Sequence, residues 1–63
     1  MPNDGGSSYR PAVLLAEDEP LVRIVTEDTL TQAGFLVLST ESADQAIALL
    51  RGGLIVDLLV TDI

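Results

Sequence analysis

The sequence predicts an α/β fold with a parallel sheet, in the element order β-α-β-α-β. Three short apolar runs have the length of strands, and two segments between them have helical periodicity. Turn and cap residues stand at the boundaries. Strands that alternate with helices in this way favour a parallel sheet with helices on its faces. With 63 residues, the chain has room for one small domain.

The first strand and helix have clear boundary signals. Residues 12–16 form an unbroken apolar run, which is typical of a parallel strand covered on both faces. Pro20 follows an acidic triplet and suits the first turn of a helix, so we predict a helix over 20–33. Gly34 stands where a left-handed residue ends a helix. Within this helix we assign Glu27 to a solvated face.

One largely apolar face is predicted for this first helix. It is marked by Val22, Val25, Thr29 and Ala33, with Leu21, Ile24 and Leu30 alongside.

The second half of the pattern repeats the first. Residues 35–38 form the second apolar strand, and Ser42 and Gln45 form an S-x-x-Q capping box. Apolar residues then recur at helical spacing until Gly52 and Gly53, where we predict the helix to end. A third strand over 58–61 follows Asp57, which we assign to strand entry, and leads directly into Asp62.

Composition excludes several classes of protein. The chain has no cysteine and no histidine, so disulfides, thiolate metal sites and Ser-His catalysis are excluded within it, and a cytoplasmic location is expected. A net charge of -7 opposes direct binding to nucleic acid. No apolar run approaches the ~20 residues of a membrane helix, so we expect no membrane contact. Residues 1–10 are rich in small and polar residues, and we expect a flexible tail there, with the domain over 11–63.

Acidic residues follow two of the predicted strands. Glu17 and Asp18 come directly after the first strand, and Asp62 comes directly after the third. Ligands of open α/β sheets bind outside the carboxyl ends of the strands. If the two strands are neighbours, these carboxylates meet in one small cleft, where a divalent cation relieves their repulsion. Mg²⁺ prefers one or two carboxylates together with water and phosphate oxygens, and an aspartate carboxylate can act as a nucleophile toward phosphorus.

Three stretches, V-L-L-A-E-D-E-P, G-F-L-V-L and D-L-L-V-T-D-I, resemble the receiver domain of response regulators in bacterial two-component systems. The resemblance implies a flavodoxin-like receiver fold with strand order 2-1-3. It implies that Asp18 binds Mg²⁺ directly, that Glu17 often does so through water, and that Asp62 is both a metal ligand and the phosphoacceptor. The partner would be a sensor histidine kinase or a phosphotransfer protein. Such a domain is not an enzyme in the usual sense.

The resemblance covers residues 12–63, which is about half of the family's domain. The family also uses a backbone carbonyl ligand two residues after the acceptor, a Ser or Thr that ends strand four and a Lys that ends strand five. None of these lies in this sequence, so we expect a partial receiver domain, truncated after strand three. We accordingly expect little stable phosphorylation of the 63-residue form.

Two other interpretations fit the same residues. An aspartate-nucleophile phosphohydrolase also ends a strand with its nucleophile, but it usually carries a second Asp two residues later. Alternatively, the chain is an inactive receiver remnant or an interaction fragment. In that case the exposed edge of the third strand, with Leu58, Leu59 and Val60, invites self-association.

Overall fold

A computed structural model describes residues 9–61, and its elements follow the predicted order β-α-β-α-β. They are β1 (Ala12–Ala16), α1 (Pro20–Gln32), β2 (Leu36–Thr40), α2 (Ala43–Arg51) and β3 (Leu58–Thr61). Most of the predicted flexible tail lies outside the described residues. Among residues 9–61, neither helix combines the length and the apolar character that are needed to cross a bilayer.

The three strands form one parallel sheet in the order β2-β1-β3. The α/β class and the strand order 2-1-3 are therefore confirmed. Ala16 pairs with Thr40 on one side and with Thr61 on the other. All three strands consequently end at the same edge of the sheet.

The centre of the sheet is β1, and its unbroken apolar run is buried on both faces. Val13 and Leu14 are fully buried, and Leu14 and Ala16 pack with Ala46 of α2. On the opposite face, Ser39 is the β2 partner of Leu15 and donates its hydroxyl to α1. Each helix therefore covers a different face of the sheet, which is the arrangement that right-handed β-α-β crossovers produce on either side of a central strand.

The face of α1 that packs on the sheet is not the apolar face that the sequence pattern predicts. The less exposed positions of α1 form a stripe at helical spacing, namely Arg23, Thr26, Glu27 and Leu30. In contrast, Leu21 is 72% exposed and Ile24 is 60% exposed. Glu27 accepts a hydrogen bond from the Ser39 hydroxyl at 3.2 Å, so its assignment to a solvated face is wrong. Polar partners on the sheet side orient this helix, and its most apolar residues remain outside.

Both helices end in the same way. The amide of Gly34 donates to Thr31 O and the amide of Phe35 donates to Leu30 O. Gly53 and Leu54 repeat these bonds to Leu50 and Leu49 at the end of α2. This is the Schellman motif, and it requires a left-handed residue, which Gly34 (φ 102°) and Gly53 (φ 106°) supply. The helix end predicted at Gly34 is confirmed, and in the Gly52-Gly53 pair the second glycine is the left-handed one.

The start of α2 follows the predicted capping box in one direction. Ser42 is the N-cap, and its hydroxyl accepts a hydrogen bond from the Gln45 amide at 3.1 Å. In the other direction, Gln45 Oε1 accepts a hydrogen bond at 2.9 Å from the amide of Glu41, one residue before the N-cap, rather than from the amide of Ser42 itself. The strand before it is longer than predicted, because β2 continues to Thr40 along β1.

Candidate functional site

A cleft of about 240 Å³ lies at the carboxyl edge of the sheet. It is lined by Ala16, Glu17, Asp18, Ser42, Ala43 and Thr61. The acidic pair after β1 and the last residue of β3 therefore share one concave surface. This is the position at which open α/β sheets bind their ligands, and two of the three predicted metal ligands contribute to it.

Glu17 is buried and held on three sides. Its side chain is 9% exposed, and Oε2 accepts a hydrogen bond from the Glu19 amide at 3.1 Å. Its own amide donates to Thr40 O at 3.1 Å, and its carbonyl oxygen accepts from the Arg23 guanidinium at 2.9 Å. A buried carboxylate needs such partners. Because one carboxylate oxygen already has a partner, an indirect contact with a cation through water suits Glu17 better than a full share of the coordination shell.

Asp18 differs from Glu17 in exposure. It is exposed to solvent and lines the cleft, so its carboxylate is available to a ligand. Glu19 is the N-cap residue of α1 and makes no side-chain cap bond. Glu19 is therefore a helix-start residue. Asp18 is thus exposed at the cleft and Glu17 is buried beside it, and the metal-ligand roles that the resemblance implies for them stay predictions.

The proposed phosphoacceptor Asp62 lies outside the described residues. Thr61, directly before it, is half-buried and lines the cleft. Within residues 9–61, no three acidic, histidine or cysteine side chains come together in a group that could hold a metal ion. Asp62 is not among those residues, so the three-carboxylate site stays a prediction.

Sequence reasoning missed three residues at or beside this cleft. Ser42 and Ala43 bring the N-terminus of α2 to its rim, where the helix dipole favours negative charge. Thr40 is buried, and its hydroxyl is within 3.1 Å of both Leu15 O and Ser42 O. The capping box at Ser42 was a usable signal for the first two. Thr40 carried none, because its role depends on the pairing of β2 with β1.

Asp57 has a structural role at the opposite, amino edge of the sheet. Its carboxylate accepts hydrogen bonds from the Ala12 amide at 2.7 Å and from the Tyr9 hydroxyl at 3.0 Å. Its own amide donates to Ala12 O at 2.8 Å. The hydrogen bond to Asp57 and the charge of that carboxylate raise the pKa of Tyr9 above its usual value of 10.0. The assignment of Asp57 to strand entry is confirmed, and this acid is remote from the cleft.

An apolar groove of about 230 Å³ continues from the cleft along α2 and β3. It shares Ala16, Ala43 and Thr61 with the cleft and adds Ala46, Ile47 and Leu59. Ile47 is 46% exposed and Leu59 is 44% exposed. The polar cleft is thus bordered by apolar surface on the α2 face of the sheet.

Comparison of the chain with protein-family models, with curated proteins and with solved structures gives no match. The likeness to receiver domains therefore depends on the three sequence stretches and on the fold, and it remains a resemblance.

Proposed function

We propose that the chain is the phosphoacceptor segment of a receiver module in a two-component phosphorelay. In this proposal Asp62 accepts a phosphoryl group from a sensor histidine kinase or a phosphotransfer protein. Glu17, Asp18 and Asp62 hold the Mg²⁺ that the transfer requires. The observation that carries the proposal is the pairing of Ala16 with Thr61 in neighbouring parallel strands.

This pairing matters because an acidic residue comes directly after each of the two paired strand ends. Glu17 and Asp18 come after Ala16, and Asp62 comes after Thr61. Neighbouring strands lie about 4.8 Å apart, so acids placed directly after paired strand ends start from adjacent backbone positions. The cleft formed by the described residues opens at that same point. The register of the sheet therefore supports the proposal that Asp62 lies beside Glu17 and Asp18.

The residues of the cleft fit a hard divalent cation. Their charged donors are carboxylates, there is no sulfur or imidazole ligand from cysteine or histidine in the chain, and Mg²⁺ prefers oxygen ligands while keeping several waters. A cleft of about 240 Å³ leaves room for such waters and for a phosphoryl group. When bound, the cation would neutralise the acidic cleft toward an incoming phosphoryl group and stabilise charge on its oxygens.

The chemistry assigned to the chain is a single displacement at phosphorus. A carboxylate oxygen of Asp62 forms the new O–P bond while the N–P bond of a phosphohistidine breaks. The electron pair of that bond stays on the imidazole nitrogen, so the donor histidine leaves as a neutral ring after it takes up a proton. The product is an acyl phosphate, and no other side chain of this chain needs to act as a base.

The test is phosphoryl transfer from acetyl phosphate in the presence of Mg²⁺, followed by intact-mass measurement. We would compare the 63-residue chain with a version extended by the codons that come after residue 63 in its gene. In the extended form we expect a gain of one phosphoryl group per chain, and in the 63-residue form little stable gain. Asp62→Asn should abolish the gain, and Asp57→Asn, at the other edge of the sheet, should leave it intact.

The same measurement separates the alternatives. An undiminished gain in Asp62→Asn would refute the acceptor assignment. Continuous release of inorganic phosphate from a phosphomonoester such as p-nitrophenyl phosphate would favour the phosphohydrolase interpretation. An extended chain that folds and takes up no phosphate would favour an inactive remnant, and concentration-dependent sedimentation would then test self-association through β3.

A further inference from the structure

Arg23 bonds to both sides of Asp18. Its guanidinium Nη1 donates to Glu17 O at 2.9 Å, and its backbone amide donates to Glu19 O at 2.9 Å. The side chain therefore reaches back from the first turns of α1 to the loop that precedes the helix. The Arg23 side chain thus holds the peptide group immediately before the exposed acid of the cleft, while its backbone amide makes the first ordinary hydrogen bond of α1 to the N-cap residue.

Other contacts complete this attachment of the loop. The Glu17 amide donates to Thr40 O at 3.1 Å, so β2 holds one peptide group of Glu17 while Arg23 holds the next. The Glu17 carboxylate accepts from the Glu19 amide at 3.1 Å, which closes a short turn over Asp18. Hydrogen bonds made by the residues on either side of Asp18 therefore hold the loop that carries it.

Arg23 is also distinct among the cations of the chain. The sequence has three basic residues, all arginines. Arg23 is half-buried, whereas Arg10 and Arg51 are exposed. An arginine presents several N–H donors in a fixed planar arrangement, and it stays charged when partly buried. A partly buried guanidinium that bonds a backbone carbonyl oxygen is used here to hold a loop rather than to form a surface ion pair.

We infer that Arg23 is a positioning residue for the acidic loop, and that it increases the affinity of the cleft for a divalent cation. This inference depends on the metal site of the proposed function. Two effects of Arg23 on that affinity have opposite signs. Its positive charge repels a divalent cation, whereas its hydrogen bond keeps the carboxylates in place for one. The half-buried guanidinium and its 2.9 Å bond to Glu17 O, directly before Asp18, indicate that the second effect is larger.

The opposite signs allow a direct experiment with Arg23→Met. We would titrate the 63-residue chain with Mg²⁺ and follow the amide NMR signals of residues 17–19. Loss of a hydrogen bond made by a charged donor should weaken Mg²⁺ binding about tenfold. Arg23→Lys, which keeps the charge and N–H donors but lacks the planar guanidinium, should recover part of that loss. Arg51→Met removes the same charge from the end of α2, and it should change the affinity less than about twofold because of screening.

A second measurement does not depend on the metal. In the absence of Mg²⁺, hydrogen exchange at the Glu19 amide should be about tenfold faster in Arg23→Met, with exchange in β1 unchanged, because a lost charge-assisted hydrogen bond loosens the turn. If Arg23→Met does not fold, Arg23→Lys replaces it, and we expect a smaller increase in the exchange rate of the Glu19 amide in that variant. Tighter Mg²⁺ binding in Arg23→Met, or unchanged exchange at Glu19, would overturn the inference. If the unaltered chain binds no Mg²⁺, the proposed metal site fails and takes the affinity effect with it, while the exchange data still decide whether Arg23 holds the loop.

Discussion

The two edges of the sheet use their acidic residues differently. At the amino edge, the carboxylate of Asp57 accepts hydrogen bonds from the Ala12 amide and the Tyr9 hydroxyl, so its acceptor capacity serves to join β1 and β3. At the carboxyl edge, Asp18 is exposed and lines an open cleft. An acid engaged in internal hydrogen bonds stabilises the fold, and an acid that faces open space is free to bind a ligand.

Asp18→Asn should produce the largest effect and should act on binding alone. The substitution removes one negative charge from the cleft and keeps the shape of the side chain. We expect Mg²⁺ affinity to fall at least about tenfold, because carboxylates are the preferred protein ligands of this ion. The free energy of unfolding should stay within about 0.5 kcal/mol of the original value, as for most exposed positions. Isothermal titration with Mg²⁺ and urea unfolding measure the two quantities.

Asp57→Asn is the matched change at the other edge and should show the reverse pattern. The amide keeps one oxygen that can accept from the Ala12 amide, but it lacks the charge that strengthens both hydrogen bonds, and its NH₂ group can meet the Tyr9 hydroxyl only as a donor. We expect a loss of about 1–2 kcal/mol in the free energy of unfolding, with Mg²⁺ affinity changed less than about twofold because of screening over the length of the sheet. Equal losses of metal affinity in the two variants would show that the edges are not functionally separate.

The smallest effect concerns pH at the amino edge. The pKa of Tyr9 is raised by its hydrogen bond to Asp57, by the charge of that carboxylate and by slight desolvation. Because the folded value exceeds the unfolded value of 10.0, this contribution to stability is complete below pH 10 and is lost as the pH rises through the raised folded value. Thermal unfolding across this range should show the loss. A Tyr9→Phe variant, which lacks the ionisable hydroxyl, should show a smaller loss, and an identical profile would argue against the contact.

Elements controlled by local sequence were predicted well. Examples are the apolar run of β1, the proline that opens α1 and the glycines that end both helices. Each of these signals determines the conformation of only a few neighbouring residues, so the sequence pattern indicates the structure directly. The orientation of α1 was not predicted, because it is set by Ser39 and by the carbonyl of Glu17, which are partners from other parts of the chain. The pattern of apolar residues alone favoured a different face.

The candidate site was predicted in part for a similar reason. Glu17 and Asp18 follow a strand directly, so the rule that ligands bind at carboxyl ends was enough to select them, and the structure puts both in the cleft. Ser42, at the start of α2, also lines the cleft. Its position there depends on how α2 crosses from β2 to β3, which local sequence does not indicate. Arg23 lies within the predicted helix over 20–33, and its bond to Glu17 O could not be inferred from spacing. The position of Asp62 lies outside the described residues.

The paired helix endings have a consequence for how the chain can change. Gly34 and Gly53 return the chain to the amino edge of the sheet, whereas the acidic pair lies at the other end of the strands. Length changes beside Ile55, which is 89% exposed, would alter the route back into β3 and leave the strand-to-helix loop after β1 untouched. The helix-to-strand connections at the amino edge can therefore change in length without changing the positions of Glu17 and Asp18. Insertions at the amino edge are thus expected to be tolerated better than insertions in the loop after β1.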